Sequence, residues 1–122
     1  MIDNRAEDYD DSCFSENHEK IAALNDNFRK TFSGGYVMTS NGIVALGSKR
    51  KWEIIKQVKE FNEFDFRNDP YGEHDFGAIH DGNDEIFWKI DYYDKNFEFA
   101  SEDPSNPEIT NRVLTIYLAE EH

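Results

Sequence analysis

The stretch FGAIHDGNDEIFWKIDYYD, residues 76–94, decides how the chain folds. From Ile86 onward its residues alternate: Ile86, Trp88, Ile90 and Tyr92 fall on one side, and Phe87, Lys89, Asp91 and Tyr93 on the other, which is the period of a strand. Asp81-Gly82-Asn83-Asp84 places turn-forming residues just before this run, so the stretch reads as an antiparallel hairpin with the first set in the core. Phe76 is assigned to the same core. Lys89 and Asp91 on the second side need solvent or a partner.

Working outward, Asn17 to Phe32 carries Ile21, Leu24, Phe28 and Phe32 at helical spacing, with Gly34-Gly35 as its stop. YVMTSNGIVAL, residues 36–46, reads as a second hairpin, because Asn41-Gly42 suits a tight turn with positive φ. Ser48 to Phe61 reads as a second helix with Ser48 as N-cap and Trp52, Ile55, Val58 and Phe61 on its buried face. Lys49, Arg50 and Lys51 crowd its first turn, where the helix dipole disfavours cations. They either hold an anion such as phosphate or contact the acidic remainder of the chain. SEDPSNPEIT, residues 101–110, is a loop, since each proline biases the preceding residue away from helix. RVLTIYLAEE, residues 112–121, is read as a strand for its β-branched and aromatic content, with a helix as the alternative. The expected architecture is α+β, with two helices packed on one side of a mostly antiparallel sheet of about five strands.

With 122 residues the chain suits one domain, expected over 17–122, preceded by a disordered acidic tail at 1–16. The aromatic share, 15%, separates it from disordered acidic chains. Cys13 is the one cysteine, so no intrachain disulfide forms. The acidic start does not resemble a signal peptide, and no apolar run approaches the ~18 residues of a membrane span, so a cytoplasmic location is expected. The net charge of −13 is unevenly placed: residues 21–60 have three acids and seven bases, whereas residues 61–122 have sixteen acids and four bases. Such a surface repels nucleic-acid phosphates and suits a basic partner.

The polar stretch NDPYGEHDFG, residues 68–77, is the focus of candidate chemistry. A metal centre would need His74 or His80 to converge with Glu73, Asp75 or Asp81, but neighbours on a strand point to opposite faces, so no metal and no cofactor are expected. Glu73 and Asp75 can share a face, while His74 needs a turn to join them. An acid–base reading pairs His74 with Asp91 across the hairpin, within a small metal-dependent hydrolase that would also use Glu73 and His80. No nucleophile accompanies the pair. His18 and His122 are assigned to solvent. A binding role suits the residues better: Asp69, Glu73, Asp75, Asp91 and Asp94 as negative charge, Tyr71 and Tyr93 as aromatic anchors, with His74 and Lys89 among them. No catalytic residue is assigned.

NDPYGEHDFG, FWKIDYY at 87–93 and DPSNPEITNRVLTIYLAEE at 103–121, with LNDNFRKTF, the Gly34-Gly35 pair and NGIVAL before them, together resemble the family catalogued as domain of unknown function 3768, over about residues 20 to 121. The resemblance supplies no catalytic residues. It implies an accessory protein of bacterial plasmids and integrated mobile elements, a setting in which small acidic proteins inhibit host defence nucleases. The expected partner is therefore a basic or nucleic-acid-binding protein, such as a restriction or CRISPR effector met by DNA mimicry. A toxin–antitoxin or regulatory partner is the other binding alternative, and a second copy of the chain is a further candidate.

Overall fold

A computed structural model describes the backbone of residues 2–122 and the side chains of residues 17–122. Helix α1 spans Ile2–Thr31, strand β1 Tyr36–Thr39, helix α2 Asn41–Ala45, helix α3 Ser48–Glu60, and strands β2, β3 and β4 Phe76–Asp81, Asp84–Tyr93 and Asn111–Leu118. A 3-10 turn at Ala119–Glu121 follows. The expected tail at 1–16 is backbone of α1 from Ile2 onward, and its side chains lie outside the described residues.

The fold is α+β, with three helices rather than two and a mixed sheet of four strands rather than about five, in the order β1-β4-β3-β2, of whose three pairings two are antiparallel. β2 and β3 form the hairpin read from residues 76–94, joined through Gly82 at φ 65. β4 then lies antiparallel to β3, and β1 runs parallel to β4. The strand assignment of residues 112–118 holds. Ile86 faces Leu118, Trp88 faces Ile116 and Ile90 faces Leu114, so the period-two set of β3 meets the apolar alternation of β4 on one face. Phe28, Ile43, Ile54, Ile55 and Val58 from the three helices close over that face. Burying a large aliphatic side chain stabilises by roughly 1.5–3 kcal/mol, which makes this single layer the main source of stability.

Five local expectations are corrected. YVMTSNGIVAL is a strand followed by a helix, because Ser40 Oγ accepts from the Ile43 N–H and caps α2, delivering Ile43 fully buried to the core. The Glu121 carboxylate completes the cap by accepting from the Gly42 N–H and the Ser40 hydroxyl. Helix α1 ends at Thr31, three residues before Gly34, with Phe32 itself at φ 61 and its N–H on the Phe28 carbonyl. The N-cap of α3 is Gly47 at φ 97, not Ser48, and Trp52 is 63% exposed while Ile54 takes its expected place in the core. Phe76 lies on the face opposite Trp88, packed against Phe87 at 5.3 Å.

The basic first turn of α3 meets acid within the chain. Arg50 reaches Asp81 Oδ2 at 2.8 Å and Asp84 Oδ2 at 2.9 Å, pinning the helix start to the hairpin turn. Of the two readings of the Lys49–Lys51 run, Arg50 follows the internal one.

Gly77 is fixed by packing: a Cβ there would enter the indole of Trp88, its partner on β3. Gly77→Ala is expected to lower the unfolding free energy by ~1–3 kcal/mol through overpacking. Urea denaturation with a reduced midpoint and unchanged slope checks this.

Candidate functional site

Residues 68–75 of NDPYGEHDFG fold as a loop against α1, and Phe76 and Gly77 begin β2. Asp69, buried, accepts from the N–H groups of Glu73 and His74 through Oδ1, so it staples the loop from within. His74 takes φ 57 and turns its ring onto Phe64, stacked at 4.0 Å. Its Nδ1 lies 2.9 Å from Asp26 Oδ2, and Nε2 lies 3.7 Å from Asp69 Oδ2. That turn at His74 lets Glu73 and Asp75 share a side, and both carboxylates face the Tyr92 hydroxyl, which donates to Glu73 Oε1 at 3.1 Å and reaches Asp75 Oδ2 at 3.4 Å.

Behind this loop lies a buried polar junction. Asn25 donates to the Glu73 carbonyl at 2.9 Å and to the Tyr92 hydroxyl at 2.8 Å, and its Oδ1 accepts from Arg112 Nε at 2.8 Å. Arg112 lies over the Tyr92 ring and also donates to the Pro104 carbonyl. One turn along α1, Arg29 donates to the Val58 and Lys59 carbonyls at the end of α3 and to Asp26, with its guanidinium over Trp88 at 5.1 Å. Burial lowers the pKa of both arginines. Burial also pushes the Tyr92 phenol well above its ordinary value, with the charge of Asp75 acting in the same sense. The Asp75 carboxyl is raised by burial, then by the neighbouring Glu73 and Asp69 carboxylates.

The acid–base pair expected between His74 and Asp91 does not form. Asp91 faces Val113 and lies with Phe87, Lys89 and Tyr93 on the other side of the sheet, so the carboxylates beside His74 are Asp26 and Asp69. His80 is exposed near Glu85 at 3.7 Å, away from His74. His18, assigned to solvent, is half-buried with Nε2 3.4 Å from Glu73 Oε2 and its ring against Tyr71 at 5.7 Å. His122 is exposed, with its ring beside Tyr117. Among the described residues, no group of three or more His, Cys, Asp and Glu side chains has the spacing of a metal site.

The nine residues read as a binding set thus fall into two groups. Asp69, Glu73, His74 and Asp75 belong to the loop on the helix side, with Tyr71 exposed at its tip. Lys89, Asp91 and Tyr93 belong to the opposite face of the sheet, with Asp94 at the start of the loop beyond β3. Among the described residues, the three helices pack on the other face. Tyr36 and Met38 of β1 project on the same face as Lys89, beside Val113 and Thr115, and Phe97 folds across its edge. Together they line a shallow groove of about 570 Å³. Sequence reasoning missed Tyr36, Met38 and Phe97: the false hairpin hid the parity of β1, and Phe97 lies in a loop with no periodicity.

Two outcomes are expected from the helix side. Arg29→Met should lower stability by on the order of 3 kcal/mol in chemical denaturation, because it strands the α3 carbonyls and Asp26; Arg29→Lys should not restore it, lacking the planar fork. Asp75 has a folded pKa above its unfolded one, so its contribution is favourable below the ordinary carboxylate range and is lost as pH rises through the raised value. Asp75→Asn should therefore raise Tm at neutral pH, and the gain should shrink on acidification. Melts across acid to neutral pH measure it.

Comparison with known proteins places residues 38–121 under a family model described as Protein of unknown function (DUF3768). The LNDNFRKTF segment and the Gly34-Gly35 pair lie before the matched region. Searches of curated proteins and of solved structures found no significant match. With the matched region covering β1's end, all of α2 and α3, and the strands β2 to β4, the chain belongs to the DUF3768 family.

Proposed function

We propose that this protein is a small acidic binding protein that acts stoichiometrically on a basic, nucleic-acid-binding partner, with inhibition of a host defence nuclease by DNA mimicry as its specific form. The observation that carries the reading is the placement of charge. Residues 61–122, which supply three of the four strands, hold sixteen acids against four bases. A field of one sign steers a basic partner and suppresses contact with nucleic acid itself. The family resemblance to accessory proteins of bacterial mobile elements supports the same partner class.

The test is capture of the tagged protein's partners from a bacterial lysate at low and high salt, with and without duplex DNA as competitor. A nucleic-acid-binding protein retained at low salt, released at high salt and displaced by DNA is the expected result. Retention that DNA does not affect would remove the mimicry, and retention of no nucleic-acid-binding protein would overturn the proposal.

A further inference from the structure

The geometry points to the groove on the sheet face opposite the helices as the seat of an arginine or lysine side chain presented by an extended basic segment of the partner. This inference rests on the proposed acidic binding function and names the surface that performs it. Three rings converge there: Phe97 meets Tyr36 edge-on at 5.5 Å and Tyr93 at 6.0 Å. Aromatic faces attract cations, and rings gathered around an opening are the arrangement that receives a guanidinium or ammonium group. Lys89 and Asp91 both line the groove, with the Asp91 carboxylate 3.3 Å from Lys89 Nζ and still partly exposed, so an incoming guanidinium meets the ring faces and shares that carboxylate with Lys89. Tyr36 is 55% exposed and Phe97 48%, leaving both rings open to a ligand.

Phe97 adds an independent observation. It takes φ 57, a conformation in which a bulky side chain is strained. The loop imposes it: the Phe97 N–H donates to the Asp94 carbonyl, and the Asn96 and Glu98 N–H groups donate to the Asp94 carboxylate. Asparagine or glycine would suit that backbone better, yet the position holds an aromatic ring aimed at Tyr36 and Tyr93. Strain of this kind concentrates where a side chain must be held for a ligand.

Charge selects the occupant. A second copy would bring another net charge of −13 to the same face, and a nucleic acid would bring phosphates, whereas a basic peptide segment is attracted. The groove, about 570 Å³, is larger than one side chain, which suits an extended segment with an apolar neighbour beside the cation over Met38 and Val113.

The test is an NMR titration of the full chain with a peptide of alternating arginine and valine, the same peptide with citrulline for arginine, and a single-stranded oligouridylate. Saturable shifts of the Tyr36, Tyr93 and Phe97 ring signals are expected with the arginine peptide, weakened ~10-fold by citrulline and by Phe97→Asn. Phe97→Asn should retain or raise Tm, because asparagine accepts positive φ; Tyr36→Ala, at an exposed position, gives a second reading if it does not. Shifts scattered over the acidic surface, lost with salt and indifferent to both substitutions, would overturn this inference and leave the acidic-partner reading standing. No binding of the arginine peptide would overturn both. Ring shifts that grow with protein concentration alone, or with the oligouridylate, would assign the face to a second copy or to nucleic acid and so overturn it.

Discussion

Asn25 engages both amide hydrogens and its side-chain carbonyl across three separate parts of the chain: Arg112 on β4, Tyr92 on β3 and the Glu73 main chain in the loop before β2. The residue is fully buried, so each of these bonds, if lost, would leave a polar atom without water. A dry, satisfied polar junction admits few geometries, unlike an apolar contact, which tolerates sliding. The junction therefore sets the register of α1 on the sheet. From it follow the position of Arg29 over Trp88 and the seating of the loop that carries His74. The helix layer closes over the sheet from this point.

The final turn and the start of α2 meet for a similar reason. Glu121 accepts from Leu118, Gly42 and Ser40, so the final turn after β4 finishes the cap of α2. Hydrogen bonds from Ser40 foremost, with those from Leu118 and Gly42, hold the Glu121 carboxyl below its ordinary range. Capping α2 in this way turns the chain immediately after β1. β1 is thereby left as a four-residue edge strand beside β4, with Val37 and Thr39 toward the core and Tyr36 and Met38 outward.

A sheet with helices on one side has two unlike environments, and the carboxylates of this protein are divided between them. On the helix side Asp26, Asp69, Glu73 and Asp75 sit within hydrogen-bond networks that fasten the loop. On the opposite side Asp91 lies among aromatic rings. Functional weight shifts accordingly from the histidine-rich loop, whose groups hold one another, to a face whose rings contact one another and, among the described residues, lie away from the helix layer. Proteins keep large apolar surface exposed chiefly where something binds it.

Strand β3 was legible because its information is local. Alternating side chains in one extended run must point to opposite faces, whatever else the chain does, and Gly82 supplies the positive φ its turn needs. The strand at β4 and the extent of α3 were readable on the same ground, as was the strong acidic charge. What the tertiary structure decided depends on partners far apart in sequence. Asn41-Gly42 has the chemistry of a hairpin turn, but Ser40, Glu121 and the burial of Ile43 make it a helix start. Trp52 fits the helical period, yet α3 turns Ile54 inward because Arg29 and Arg50 anchor its two ends. His74 and Asp91 look like a pair along the chain, and the hairpin sets them on opposite faces. Local periodicity determines which way a side chain points; which element it meets is settled only when the layers pack.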